Sequence, residues 1–415
     1  MLSKKKIDPN AVDILSRLNQ EGFEAYIVGG AVRDLYLGIE PKDYDIATSA
    51  RPKEIKKVFG RKARIIGRRF RLVHVYRGRK YYEVSTFRRE PTPEERSTRE
   101  TDDGVIIWRD NKYGSIDQDA RRRDFTVNAL FYDPTTGDEI VDYVEGVADL
   151  ESGIVRTIGD ADQRIAEDPV RILRALKLVG QYDFKLESEL EKAVEQQATD
   201  IQKSSVSRLF EELLKIYSKS YTCKTLGAFH EYGLLKYYLP NLDKAWAGEP
   251  GDAIRRLLSE RDRRRARGWY SNSRTLAVMT TTVPIIAEDL GLVDFSDLLS
   301  IHSGLGQLIK ESIRRTYAPL PVPKHITARA RDGILLLPLF VSTGHRNRLL
   351  HHPDYRYARE LFSLLTEVFG WDPEMIAQWP EKGTSGGGRG RRRGGSSRRR
   401  RKNRTSKGSK NSGNG

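Results

Sequence analysis

The chain has 415 residues with 38% apolar and 9% aromatic side chains, a length that predicts more than one domain. No run approaches the roughly 20 apolar residues that span a bilayer, MLSKKKIDPN has no apolar secretory core, and the single cysteine, Cys223, excludes an internal disulfide or zinc cluster, so a cytoplasmic protein with no membrane partner is expected. Of the net +16, residues 381–415 carry +12 (13 Lys+Arg against one acid) and leave +4 for the rest, so the basic character is concentrated at one end and favours a polyanion such as nucleic acid.

In chain order, Ala25–Val28 is a short apolar run that ends at Gly29-Gly30 and leads into a helical pattern from Ala31 to Leu37. Asp43 to Ala47 alternates polar and apolar side chains, as a half-buried strand does. Pro52 stands where a helix starts, predicting a short helix to Phe59. Arg64–Ile66, Leu72–Tyr76 and Tyr81–Phe87 read as further strands, and strands return around Phe125 to Tyr132. Between them, Glu90 to Asp110 is a charged, proline-containing insertion that reads as a mobile surface loop.

After Leu150 the pattern turns helical. Val170, Leu173, Leu176 and Val179 fall at helical spacing, and Leu186–Ala198 and Ser207–Tyr217 are amphipathic. Helices joined by polar turns continue to about Trp371. The last stretch, rich in Arg, Gly and Ser, offers nothing large and apolar to bury and is expected to be disordered. The fold expected is therefore α+β, with four parts: a mixed-sheet head over 1–150, a helical neck over 151–240, a helical body over 241–372 and a basic tail over 373–415.

The chemistry concentrates in VGGAVRDLYLG and KDYDIAT. Gly29-Gly30 closes a strand and opens a helix, where backbone N–H groups can approach a phosphate. Arg33 lies on the first helical turn. Asp43 and Asp45, two apart on a strand, would share a face. Such carboxylates repel unless a cation sits between them, and all-oxygen ligation suits Mg²⁺; two solvent-facing aspartates at a strand end would give the same spacing. Glu83, in YYEVSTFR, is a third acid if its strand is adjacent, or an edge-strand glutamate facing water. Spacing alone does not separate these readings. His74, between two valines, reads as a packing residue.

These stretches resemble the nucleotidyltransferase signature shared by class II tRNA CCA-adding enzymes and bacterial poly(A) polymerases, within the DNA polymerase β superfamily. Ala120 to Ala129 is similar to the family's RRDFTxNA motif, Glu167 to Arg174 to its EDPxRxLR motif, and Asp142 to Gly146 to the turn joining head and neck. Ile65–Val75, Asp110–Ile116, Ser207–Lys215 and Leu349–Pro353 resemble the poly(A) polymerase group in particular.

The resemblance implies a polymerase-β-like head and template-independent addition of AMP from ATP to single-stranded RNA 3′ ends. The alternative is CCA addition to tRNA from CTP and ATP. It implies that Asp43, Asp45 and Glu83 bind two Mg²⁺ ions. Gly29, Gly30 and Arg33 would meet the triphosphate, and Arg122 or Arg123 would contact phosphate. Asp124 would bind the ribose hydroxyl. Asp168 and Arg171, with Arg174 nearby, would read the base edge. A monomer that meets the RNA-decay machinery is expected on the same grounds.

Overall fold

The computed structural model describes residues 7–67, 71–92, 100–102, 105–107, 112–137, 139–269, 273–342 and 344–381. The head is built on a seven-stranded sheet: β1 (Ala25–Val28), β2 (Asp45–Thr48), β3 (Ala63–Ile66), β4 (Leu72–Arg77), β5 (Lys80–Thr86), then Leu130–Tyr132 and Ile140–Asp142. From one edge the first five run β3-β4-β5-β2-β1, and the last two strands continue beyond β1. Every neighbouring pair is antiparallel except β2 with β5, which is parallel with Ile46 opposite Val84. A two-residue turn at Gly78-Arg79 joins β4 to β5, and Gly78 takes φ of 62°, a conformation that suits a residue without Cβ.

Strand alternation sends the two faces to different fates. Ile27, Ile46, Val73, Val75, Tyr82 and Val84 face the main core. There they meet α1 (Pro9–Gln20), through Ile14, Leu15 and Leu18, and α3 (Pro52–Phe59), through Ile55 and Phe59. Both helices start on proline, whose missing N–H costs nothing at that position. Asp8 caps the first by accepting from Asn10 N–H at 3.0 Å. Glu54 accepts from Arg51 N–H at 2.7 Å at the start of the second. The opposite face carries a smaller cluster, Val28, Ala47, Phe87, Ala129 and Phe131, closed by Ala120 of the Ile116–Arg121 helix. That cover leaves the β2–β5–β4 part of the face open to solvent, where Asp45 and Glu83 are exposed.

Three expectations change here. Asp43 precedes β2, which begins at Asp45. Thr126–Asn128 is a 3₁₀ turn rather than strand, because Asn128 and Ala129 N–H bond back to Phe125 and Thr126 and the Thr126 hydroxyl donates to Asp149 at 2.7 Å. The insertion at Glu90–Asp110, expected to be a loop, contains an antiparallel pairing of Glu100–Asp102 with Val105–Ile107.

Among the described residues the chain beyond Leu150 is helical apart from a short parallel pair, Ile154–Val155 with Lys185–Leu186, and the main core continues without a break from the head into it. The helices Val170–Tyr182, Ser188–Gln197 and Val206–Tyr217 fall where the spacing puts them. Packing runs past the expected end of the body at residue 372. Glu374–Ala377 is helical, Trp379 is 4% exposed, and its indole N–H donates to the Phe340 carbonyl at 3.2 Å. One large aromatic side chain anchors a stretch that composition assigns to the tail. Residues 382–415 of the tail, and Arg68 to Phe70 within the Ile65–Val75 motif, lie outside the described residues.

Candidate active site

Sheet register assembles the acids. Because Ile46 pairs with Val84 in the parallel β2–β5 ladder, Asp45 and Glu83 fall opposite each other on the open face. Glu83 in turn pairs with His74 across β4, and Val28 pairs with Asp45 across β1. One row across the sheet therefore reads Arg64, His74, Glu83, Asp45, Val28, Phe131. Burial first, and then the negative charge of Glu83, push the Asp45 carboxyl up to about 6; Arg123 opposes this and Asp43 adds to it. The stronger acidic neighbour of Asp45 is thus Glu83, from another strand, ahead of Asp43, two residues away in sequence. Solvent still reaches Asp45 on the open sheet face.

Among the described residues no three His, Cys, Asp or Glu side chains are gathered closely enough to hold a metal ion by themselves. The donor set nevertheless fits Mg²⁺. That ion takes one or two carboxylates and completes its shell with water and substrate phosphate oxygens. Two adjacent carboxylates, one resisting ionisation, form a place where a divalent cation lowers the energy.

Gly29 stands one residue beyond Val28, at the N-terminus of α2 (Gly30–Tyr36), with φ 68° and ψ −130°. Its N–H donates to the Leu130 carbonyl at 3.0 Å. A Cβ there would lie 3.3 Å from Arg123 Nη1, so the absence of a side chain lets the guanidinium close over the turn. Arg123 also donates to Asp119 at 2.8 Å and to the Asn128 carbonyl at 3.3 Å. Of the two arginines considered, Arg123 is the one at the turn; Arg122 is held by Asp119 at 3.0 Å.

Arg33 is placed otherwise than expected. It is 8% exposed and engaged through four of its five N–H donors: with Asp34 (2.8 and 3.1 Å), with Asn128 Oδ1 (2.5 Å) and with the Tyr182 hydroxyl (2.6 Å). Tyr182 closes the last helical turn of Val170–Tyr182 and itself donates to Asp34 at 2.5 Å. A guanidinium held in this way braces the Gly29-Gly30 turn against the next segment.

Asp124 accepts from its neighbour Phe125 N–H at 3.0 Å and lies 3.4 Å from Arg174 Nη1. Asp168 ends the Ala161–Glu167 helix, just before Pro169. One of its oxygens accepts from Val170 N–H at 3.2 Å, and the other accepts from Arg208 at 2.6 Å. The Arg171 guanidinium turns away from the Asp168 carboxylate and donates to Glu167 at 3.1 Å and to the Arg164 carbonyl. The site thus includes two residues that the sequence reading did not single out. Arg208 orients Asp168 from the Val206–Tyr217 helix. Lys177, 3.8 Å from Glu212, continues the Arg171–Arg174 face, and burial holds its ammonium below the usual range against the pull of Glu212. Arg208 lies within Ser207–Lys215, but an arginine on an amphipathic helix carries no signal of its own.

The described residues include no helix long and apolar enough to cross a membrane. Residues 25–156 match the family described as poly A polymerase head domain, and residues 183–245 match the one described as probable RNA and SrmB-binding site of polymerase A. The chain is 35% identical to the poly(A) polymerase I of Haemophilus influenzae, over 91% of this chain and 85% of that one. It is 39% identical to a Lactobacillus helveticus CCA-adding enzyme over 50% of this chain and 49% of the relative. A crystal structure of the Bacillus stearothermophilus CCA-adding enzyme with CTP superposes with a TM-score of 0.62 at 25% identity, covering 90% of this chain and 83% of that one. With the acid row, the glycine turn and this coverage in place, the chain belongs to the poly(A) polymerase family of RNA nucleotidyltransferases.

Proposed function

We propose that this protein adds AMP from ATP to RNA 3′ ends without a template and releases pyrophosphate. The observation that carries the reading is the pairing of Asp45 with Glu83 beside the Gly29 turn and Arg123, within a chain similar to a poly(A) polymerase I over nine-tenths of its length. The Gly30 backbone N–H, presented by the Gly29 turn, and the Arg123 guanidinium receive the triphosphate. Asp124 accepts from the ribose hydroxyl. Asp168, held by Arg208, and Arg171, with Arg174 nearby, present an acceptor and donors to the edge of adenine. Asp45 and Glu83, with Asp43 close by, would hold Mg²⁺; the chemistry supplied there is neutralisation of charge on the attacking and leaving oxygens. The protein's own contribution is positioning and a fixed field, as in phosphoryl transfer generally.

The division into head, neck and body follows the same reading: the sheet binds nucleotide, the first helices select the base, and the later helices and basic tail hold RNA. A second reading, CCA addition from CTP and ATP, is favoured by the likeness to the enzyme solved with CTP. A primer-extension gel separates them. Purified protein, Mg²⁺, unstructured RNA and ATP alone should give a long ladder. Additions that need CTP, occur on tRNA lacking its end and stop after three would assign the second.

A further inference from the structure

The open sheet face continues past Glu83 as an aromatic surface. His74 and Tyr76 alternate along β4, and Tyr81 and Glu83 along β5, so all four share the face of Asp45. The His74 and Tyr81 rings are stacked, 4.1 Å between centroids at 22°. Tyr76 leans on Tyr81 at 6.2 Å. Tyr81 is 52% and Tyr76 37% exposed, although aromatic rings are ordinarily covered. Glu83 joins this surface to the acid row, its carboxylate 3.5 Å from His74 Nε2. Arg64, in register with His74, and Arg79, at the β4–β5 turn, are exposed around it.

Sheet order gives the surface a direction. The Gly29 turn and Arg123 lie on the β1 side of Asp45, and the aromatic rings lie on the β4–β5 side. In an in-line displacement the attacking and leaving oxygens stand on opposite sides of the reacting phosphorus. If the departing pyrophosphate is held at Gly29 and Arg123, the attacking hydroxyl approaches from the β5 side.

We propose that His74, Tyr76 and Tyr81 form the stacking platform for the last bases of the single-stranded RNA primer, delivering its 3′ hydroxyl to the Asp45–Glu83 row. Tyr81 lies two residues from Glu83, about 7 Å along the strand, roughly one nucleotide from the reacting end. Aromatic faces with flanking cations are the chemistry that holds single strands without reading sequence, which suits a growing end. The inference rests on the proposed activity.

The test is steady-state kinetics of Tyr81→Ala and Tyr81→Phe on an oligo(A) primer, with 2-aminopurine at the primer's 3′ end as a stacking probe in the absence of ATP. Losing one stacked base should raise the RNA KM at least about fivefold in Tyr81→Ala, leave the ATP KM within about twofold, and abolish the probe's quenching. Tyr81→Phe should behave as wild type, because the ring and not the hydroxyl does the stacking. Tyr76→Ala serves as a second variant if Tyr81→Ala melts early. An unchanged RNA KM and unchanged quenching in an active Tyr81→Ala overturn the platform alone. A wild-type protein that adds no nucleotide to RNA overturns the activity, and the platform with it.

Discussion

Replacing Asp45 by Asn removes one charge and almost no volume. A carboxyl raised from 3.8 to about 6 by burial and by Glu83 resists ionisation by on the order of 3 kcal/mol, and the solvent that reaches it in the cleft screens this to roughly 1 kcal/mol of fold stability. The sign follows from linkage. The folded-state value lies above that of the unfolded chain, so the stabilising contribution is full below about pH 4 and is lost as pH rises through about 6. Asp45→Asn should therefore be more stable than wild type by about 1 kcal/mol near pH 8, with the gap closing as pH falls toward 4. It should also add no nucleotide. The assay pairs urea denaturation with chelator present, at several pH values, with a primer-extension gel. A variant that is less stable near pH 8, or that extends primers at wild-type rate, refutes the assignment of Asp45 as a strained functional carboxylate.

Arg208→Ala removes the 2.6 Å charge-assisted bond that orients Asp168, so kcat/KM for ATP should fall about tenfold and discrimination against CTP should relax; unchanged selectivity would detach Arg208 from base reading. Asp262→Ala leaves the Arg261 guanidinium, 2% exposed and bonded to Asp262 at 2.7 Å, without its counter-charge, and should cost about 3–5 kcal/mol by denaturant titration. A loss below about 1 kcal/mol would mean that water or Thr222 compensates. Chelating divalent cations should abolish nucleotide addition while leaving the circular dichroism spectrum intact, and readdition of Mg²⁺ should restore it; activity that survives chelation would remove the metal from the reading.

Elements with local punctuation were legible from the chain. Gly29 ends β1 and Pro52 starts α3 where the sequence reading puts them, because each residue constrains its own backbone. What the chain order does not show depends on pairing. Two-residue spacing joined Asp43 to Asp45, but Glu83, 38 residues on, is the closer electrostatic partner, and only the parallel β2–β5 ladder brings it there. Arg33 looked free on the first turn of its helix; its partners Asn128 and Tyr182 come from distant segments. Arg208 and Asp168 meet through helix packing across 40 residues, with no periodicity to announce it. Trp379 shows the converse: one buried ring in a polar stretch outweighs composition.

The tight turn at Gly78-Arg79 is also a phase-setting device. Side chains on a strand alternate, so β5 is read correctly only if its count from the turn is right. One extra residue there, with β2 and β4 unmoved, would rotate β5 by half a period, turn Glu83 into the core beside Ile46 in place of Val84 and set Tyr82 opposite His74 where the carboxylate stood. A site made of residues far apart in the chain is thus keyed to the length of a loop that touches none of them.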